Sequence, residues 1–189
     1  TKALNMYCIV DWHTTPDSLL SGDPNDYIAE SKDFFGEISK FCADNGYDNV
    51  LYEICNESTC GWSNTKSYAE EVIPVITANQ PDAIVIVGTD QWSQKIVEPM
   101  VMPMDSSYKK NVMYSFHFYA ASHNDGTPID TTYDCVGYDF MTPLAKGDSA
   151  KGVPCILKEL PIFVTEFGTT DASGWAHFRP DLTEKWMKI

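Results

Sequence analysis

The sequence has few basic residues and a single arginine, Arg179. Thirteen lysine and arginine residues stand against 27 aspartate and glutamate residues, so the formal net charge of the 189-residue chain is −14. Because such a charge repels phosphate groups, the composition argues against a nucleic-acid partner. A hydrophobic content of 43% is enough for one domain with a sizeable core.

Long apolar runs and metal-binding spacings are also missing. No stretch approaches the roughly 20 apolar residues of a membrane-spanning helix, so we expect no membrane partner. The six cysteines contain no Cys-x-x-Cys pair, so we expect no zinc site. Cys8 and Cys55 lie in apolar runs and are expected to be buried thiols. Cys135 and Cys155 lie in loop-like sequence and could form a disulfide in an oxidising compartment.

Strand-like and helix-like segments alternate along the chain. A helix is predicted to begin at Asp23-Pro24 and to stop at Gly46, and a second covers residues 64–79, where Pro74 predicts a kink or an early end. This alternation predicts an α/β fold with parallel strands and right-handed crossovers. The predicted strands cover residues 5–10, 50–56, 83–88, 111–117 and 160–166.

Two segments between these elements are less regular. Residues 94–110 are ambiguous, and residues 120–158, rich in Gly, Asp, Thr and Pro, predict a long loop with one short helix. Five strands are too few for a closed (β/α)8 barrel, which typically needs about 250 residues. The fold is therefore either open or part of a barrel.

Polar residues follow the apolar runs at the ends of four predicted strands. In parallel α/β folds, this is where catalytic side chains lie. Successive strand residues point to opposite faces, and the alternation allows the polar side chains to share one face. Two carboxylates facing one pocket form the arrangement of a glycosidase. The residues expected to meet at one rim are His13, Glu57, His117, Tyr119 and Glu166.

Five sequence pieces, in order and covering nearly the whole chain, resemble a glycoside hydrolase family 5 cellulase of the bacterial endoglucanase type. Any one of them would be modest evidence, but their common order is specific. The pieces are Asp11-Trp12-His13, Tyr52-Glu53-Ile54-Cys55-Asn56-Glu57, Gly88-Thr89-Asp90-Gln91-Trp92-Ser93-Gln94, Ser115-Phe116-His117-Phe118-Tyr119 and Phe163-Val164-Thr165-Glu166-Phe167-Gly168-Thr169.

The resemblance implies a role for each site residue. Glu57 is expected to be the general acid/base and Glu166 the nucleophile, as a retaining mechanism requires. Asn56 is expected to hydrogen-bond the sugar 2-hydroxyl, and Trp92 to stack on a glucose ring. The remaining expected site residues are His117 and Tyr119, orienting Glu166, and His13 nearby. The resemblance implies no metal and no cofactor.

The resemblance begins at the third strand of the family's barrel and ends just past the seventh. The family's second-strand arginine and eighth-strand tryptophan have no counterpart, and Ser58 stands where proline is usual. We therefore expect residues 1–189 to form one catalytic domain, truncated at both ends, on an incomplete TIM (β/α)8-barrel-derived fold. A chain that starts at Thr1 without a signal peptide is expected to be processed or a fragment. Its open sheet edges predict self-association.

The expected function is a secreted, retaining endo-β-1,4-glucanase that acts on β-glucan or cello-oligosaccharides. A related mannanase, xyloglucanase or lichenase is an alternative within the same class. A catalytically crippled barrel fragment that only binds β-glucan is an alternative from another class. A flavodoxin-like binding domain is weaker, because no Gly-rich phosphate loop follows the first predicted strand.

Overall fold

Parallel strands and helices alternate along the chain, as the sequence predicts. A computed structural model describes residues 1–13, 22–130, 135–136, 138–150, 152 and 154–189. The strands are β1 Cys8–Asp11, β2 Val50–Glu53, β3 Ile84–Gly88, β4 Val112–Tyr119, β5 His123–Asn124, β6 Pro128–Asp130, β7 Cys135–Val136, β8 Tyr138–Asp139 and β9 Ile162–Gly168. The helices are α1 Ile28–Asp44, α2 Trp62–Asn79, α3 Asp90–Ser93, α4 Glu98–Val101, α5 Met141–Ala145, α6 Ile156–Glu159 and α7 Pro180–Trp186.

The main sheet has the strand order β1-β2-β3-β4-β9. Strands β1 to β4 pair in parallel, in chain order, and helices connect β1 to β2 and β2 to β3. The described residues divide into two compact units, Thr1–Ser115 and Phe116–Ile189. The predicted parallel α/β architecture is confirmed.

Helix α1 ends where the sequence predicts, whereas the predicted start at Asp23-Pro24 opens a 3-10 turn, Pro24–Tyr27, and α1 itself begins at Ile28. The Asp23 side chain accepts a hydrogen bond from the Asn25 main-chain nitrogen at 3.0 Å, and Pro24 opens a 3-10 turn that runs into α1. Gly46 has a φ of 67° just after the helix, a left-handed conformation that glycine adopts without strain. The stop signal at Gly46 is therefore confirmed, and the start signal at Asp23-Pro24 caps the 3-10 turn that precedes α1.

Helix α2 starts two residues before the predicted position and continues through Pro74 to Asn79, so of the two outcomes predicted at Pro74, a kink or an early end, the early end does not occur. Proline has no main-chain N–H for the carbonyl four residues earlier, which belongs to Glu70. The Tyr108 hydroxyl donates to that carbonyl oxygen at 3.4 Å. This outside donor compensates for part of the missing helical hydrogen bond.

Strand β2 is shorter than predicted. It ends at Glu53, so Asn56 and Glu57 lie in the loop that follows it. The alternation of side chains along β2 therefore does not extend to Glu57. The argument that this alternation turns the Glu57 side chain to the shared face is wrong. The Ile54 nitrogen still donates to the Ile86 oxygen at 3.0 Å, which ties the start of this loop to β3.

The two segments left open by the sequence contain more structure than predicted. The ambiguous residues 94–110 include helix α4. The predicted loop over residues 120–158 contains two short helices, α5 and α6, and four two- or three-residue strands. Such short elements carry too weak a hydrophobic period to be recognised in the sequence.

Each unit has its own apolar core. In the first unit, α1 and α2 cover the sheet, and the fully buried side chains include Phe35, Tyr52, Tyr68, Ile73 and Val85. In the second unit, the ring centroids of Phe118 and Trp186 stack at 4.2 Å, and Phe116 lies 5.6 Å from Trp186. Helix α7 is thereby packed against β4. Among the described residues, no helix combines the length and apolar character needed to cross a membrane.

The cysteines only partly follow expectation. Cys55 is a buried thiol, and burial raises its pKa. Cys8 is only half-buried because it lies on the edge strand β1, so the expected burial of this thiol is wrong. The Cys155 thiol donates to the carbonyl oxygens of Leu144 and Ala145, each at 3.2 Å. The expected pairing of Cys155 involves the Cys135 side chain, which lies outside the described part of the chain.

Gly88, the last residue of β3, lies against the loop after β2. A Cβ atom at this position would lie 2.4 Å from the Cys55 carbonyl oxygen and 2.7 Å from that of Asn56. We expect Gly88→Ala to lower the free energy of unfolding by about 1–3 kcal/mol, because main-chain atoms must move to accept the methyl group. Urea unfolding measures the change.

Gly36→Ala is the matched control. Gly36 lies inside α1, and its added Cβ would meet one side-chain atom of Val75 at 3.3 Å and no main-chain atom of another segment. The helix propensity of alanine, about 1 kcal/mol above that of glycine, offsets this mild crowding. Equal stability of Gly88→Ala and the unmodified chain would contradict the prediction.

Candidate active site

In the first unit, three polar side chains form a hydrogen-bonded chain at the carboxyl ends of β1 and β2. His13 Nδ1 lies 2.7 Å from Asp11 Oδ2, and Asn56 Nδ2 lies 3.4 Å from His13 Nε2. With Nδ1–H donating to the aspartate, Nε2 is left to accept from the Asn56 amide. The structure thus brings together the predicted residues His13 and Asn56. It adds Asp11, which orients the imidazole.

The loop that carries Asn56 and Glu57 is held by the segment after β3. The Ser93 hydroxyl donates to the Asn56 carbonyl oxygen at 2.7 Å, and the Trp92 nitrogen donates to the Ser58 oxygen at 3.3 Å. Ser58 is buried, and its hydroxyl lies 2.8 Å from that of Thr65 in α2. Serine in place of the family's usual proline therefore adds a side-chain hydrogen bond to this loop.

Trp92 lies on an unusual turn. Gln91, Trp92 and Ser93 have φ angles of 54°, 58° and 57°, a left-handed conformation that costs roughly 1–2 kcal/mol per non-glycine residue. Buried Asp90 helps to hold this turn, since its carboxylate accepts from the Gly61 nitrogen at 2.8 Å and lies 3.2 Å from Lys95 Nζ. The Trp92 side chain stays 41% exposed. The turn therefore presents an indole ring to solvent from a fixed backbone.

In the second unit, β4 and β9 bring Tyr119 and Glu166 together. The Tyr119 hydroxyl donates to Glu166 Oε1 at 2.5 Å. Gly168 makes room for the tyrosine ring, because a Cβ there would lie 2.6 Å from Tyr119 Cδ1. Buried His117 lies on the same strand, with Nε2 2.9 Å from the Thr165 hydroxyl oxygen. One carboxylate oxygen of Glu166 is thus engaged by a hydrogen bond from Tyr119.

The sequence attached no role to His123, yet this residue contacts Tyr119. The Tyr119 main-chain nitrogen donates to His123 Nδ1 at 3.0 Å. Burial lowers the pKa of His123 to about 4, because the apolar surroundings disfavour the charged ring. In the sequence, His123 follows Tyr119 by four residues, a spacing that allows a tight turn after β4. This spacing alone does not predict that the imidazole is buried.

The predicted site residues therefore fall into two groups, each within one unit. The first unit contains His13, Asn56, Glu57 and Trp92, and the second contains His117, Tyr119 and Glu166. In both groups the residues lie at or just beyond the carboxyl ends of strands of the main sheet. Such an edge is where βα loops build active sites in parallel folds.

Comparisons with known proteins match the whole chain. The family model described as Cellulase (glycosyl hydrolase family 5) matches residues 1–189. Endoglucanase A of Evansella cellulosilytica is 40% identical over 188 residues, which cover 97% of this chain and 32% of the relative. Endoglucanase CelA of Streptomyces lividans is 39% identical over 179 residues, 90% of this chain and 32% of the relative. The chain spans about a third of the length of these relatives.

Solved structures of cellulases also superpose on nearly the whole of this chain. The catalytic domain of endoglucanase Cel5A of Thermobifida fusca superposes with a TM-score of 0.73 at 35% identity, covering 99% of this chain and 54% of that one. The cellulase Cel5C_n superposes with a TM-score of 0.75 at 37% identity, covering 98% of this chain and 50% of that one. With the observed strand order, these neighbours confirm the predicted TIM-barrel-derived fold with five of its strands.

The lowered pKa of His123 makes folding stability depend on pH. The folded-state pKa of about 4 lies below the ordinary value of 6.5, so the unfolded chain binds the extra proton between these values. Stability is full above about pH 6.5 and is lost as the pH falls towards 4. We expect this loss to be on the order of 1–3 kcal/mol.

The measurement compares the unfolding free energy of wild type and His123→Asn from pH 7 to pH 4. Asparagine does not titrate, so the variant should lose less stability than wild type across this window. Parallel stability curves for the two proteins would contradict the assignment of this pH dependence to His123.

Proposed function

Because the chain belongs to the cellulase family of glycosyl hydrolase family 5, we propose that it is a retaining endo-β-1,4-glucanase. The observation that carries the proposal is the carboxylate of Glu166 at the end of β9, held by the Tyr119 hydroxyl at 2.5 Å. A nucleophilic carboxylate must keep one oxygen directed at the anomeric carbon, and a fixed donor on the other oxygen provides that orientation.

We propose that Glu57 and Glu166 face a shared cleft. Glu57 lies in the loop after β2, and Glu166 lies near the carboxyl end of β9, a strand of the same sheet, which supports this pairing. The retaining mechanism needs the two carboxyl groups about 5–5.5 Å apart. An ion pair or a metal is not required for either role.

The proposed reaction has two displacements. In the first, Glu166 Oε2 attacks the anomeric carbon and forms an ester bond while the glycosidic C–O bond breaks, and Glu57 gives its proton to the departing oxygen. In the second, Glu57 takes a proton from water, the water oxygen bonds to the anomeric carbon, and the ester bond to Glu166 breaks. The sugar leaves with its original anomeric configuration, and both carboxyl groups are restored.

The remaining site residues bind and orient the substrate in this proposal. Asn56 is assigned to the sugar 2-hydroxyl, and its contact with His13 limits the amide to one orientation. His117 lines the cleavage subsite beside Glu166. Trp92 stacks on a glucose ring, for which its exposed indole face is suited.

The proposed substrates are β-1,4-glucan and cello-oligosaccharides, and the related glucans and mannans remain alternatives. A solved structure of the T. fusca endoglucanase holds cellotetraose, and the match to it is 34% identical with a TM-score of 0.73. Because polymeric glucan does not enter cells, we propose that the chain acts outside the cell. We also propose self-association, since Ile9 on β1 and Phe167 on β9 are exposed apolar residues of the two edge strands.

One observation favours a second candidate, a fragment that binds β-glucan without cleaving it. The family's arginine beside the nucleophile has no counterpart, and the chain's single arginine is engaged elsewhere. Arg179 Nε and Nη2 donate to the Asp181 carboxylate at 2.9 and 2.8 Å. The guanidinium group of Arg179 is therefore bound by Asp181.

We expect Glu166→Gln to lower hydrolysis of carboxymethylcellulose by at least about 1,000-fold, because the amide cannot form the glycosyl ester. Reducing-sugar release measures turnover, and proton NMR of the first product tests for the β-anomer. Glu57→Gln should give a loss of similar size with substrates that have a poor leaving group.

Glu184→Gln is the control, since Glu184 is an exposed carboxylate on α7 paired with Lys188 at 3.0 Å. This variant should keep wild-type turnover. Absence of turnover in wild type and Glu166→Gln alike, with binding of cello-oligosaccharides retained, would overturn the enzyme proposal and support the binding fragment.

We expect Trp92→Ala to raise KM for cellohexaose at least about fivefold, which corresponds to about 1 kcal/mol of lost stacking, with a smaller change in kcat. Tyr7→Ala is the control, because Tyr7 is 74% exposed just before the amino end of β1, at the other end of the strand from the site residues. Equal KM values for Trp92→Ala and wild type would remove Trp92 from the proposed site.

A further inference from the structure

The hydrogen bond that orients Glu166 depends on how the Tyr119 backbone is held. Tyr119 is the last residue of β4, where the chain leaves the sheet in a turn. The Ser122 nitrogen donates to the Tyr119 oxygen at 3.0 Å, which closes this turn. The Tyr119 nitrogen donates to the ring of His123 at 3.0 Å. An imidazole therefore fixes the residue from which the tyrosine ring projects.

His123 is itself held firmly from several sides. Its side chain is only 4% exposed, and its ring centroid lies 5.1 Å from that of Phe140 in an edge-to-face arrangement. Its main-chain oxygen accepts from Trp186 Nε1 at 2.7 Å, which anchors the residue to α7. A buried ring with these contacts cannot shift without disturbing its surroundings.

The protonation state of the ring suits the acceptor role. Nδ1 can accept from the Tyr119 nitrogen only when it carries no proton, so the neutral ring has its proton on Nε2. The pKa of about 4 keeps this neutral form dominant above that pH. The acceptor is therefore present throughout the neutral range.

We propose that His123 is a positioning residue for the nucleophile, acting through Tyr119 on Glu166. The path is His123 Nδ1 to the Tyr119 nitrogen at 3.0 Å, and then the Tyr119 hydroxyl to Glu166 Oε1 at 2.5 Å. The inference rests on the proposed function, in which Glu166 attacks the substrate. Because small displacements of a nucleophile cause large losses of rate, the effect is expected in kcat rather than in KM.

Two substitutions separate the hydrogen bond from the volume of the ring. His123→Asn places an amide oxygen near the position of Nδ1 and keeps the acceptor, whereas His123→Leu fills the space with an apolar group. We expect His123→Leu to lower kcat for cellohexaose at least about tenfold with KM within about threefold of wild type. His123→Asn should restore most of that loss.

Phe140→Leu is the matched control, because it reduces packing against the His123 ring and leaves the hydrogen bond to Tyr119 in place. Its kcat should stay within about threefold of wild type. Equal losses of kcat in Phe140→Leu and His123→Leu would mean that packing alone matters, and would overturn the proposal. Thermal unfolding verifies that each variant is folded at the assay temperature.

A double-mutant cycle tests the path. In a Tyr119→Phe background the hydroxyl that orients Glu166 is gone, so His123→Leu should cause little further loss of kcat. If His123→Leu lowers kcat as much in the Tyr119→Phe background as in wild type, the two losses are additive. That result would overturn the proposal that His123 acts through Tyr119.

A crystal structure of His123→Leu gives a readout that does not depend on turnover. The proposal expects the distance between the Tyr119 hydroxyl and Glu166 Oε1 to lengthen beyond hydrogen-bond range, and a retained bond of wild-type length would overturn it. Should wild type lack turnover, the proposed function fails, and this distance still decides the positioning role of His123.

Discussion

At the carboxyl ends of β3 and β9, a glycine lies so close to a neighbouring part of the chain that a larger residue would not fit. Gly88 allows the loop bearing Asn56 and Glu57 to lie across β3, and Gly168 allows the Tyr119 ring to lie across β9. In both places a Cβ would come within 2.7 Å of its neighbour. The site geometry in each unit depends on this close approach, because the hydrogen bonds that follow from it have short reach.

Those hydrogen bonds form two short chains, and each begins at a residue with a clear anchoring role. One runs from Asp11 through His13 to Asn56, and the other from His123 through Tyr119 to Glu166. A single neutral hydrogen bond contributes only about 0.5–1.5 kcal/mol, whereas leaving a buried donor or acceptor unpaired costs more. Such chains therefore restrict the orientation of the side chains more than they add to the stability of the fold.

Sequence periodicity predicted the five main strands, because uninterrupted apolar runs are distinctive of buried parallel strands. It misplaced the end of β2, since the apolar residues Ile54 and Cys55 continue past Glu53 into a buried loop. It also missed the left-handed turn at Trp92, which is held by contacts with a distant part of the chain: the Gly61 nitrogen donates to Asp90, and the Trp92 nitrogen donates to the Ser58 oxygen. Local pattern cannot detect a conformation whose cost is offset by contacts far away in the sequence.

The sequence by itself determined the parallel α/β class, the polar residues at the strand ends and the family resemblance, because these follow from residue type and order. Only the tertiary structure decided which of those residues touch. It paired His13 with Asp11, set Tyr119 on Glu166 and placed His123 behind Tyr119, none of which spacing along the chain can specify. The physical reason is that hydrogen bonds require atoms within about 3 Å and a suitable angle, and such proximity arises from packing.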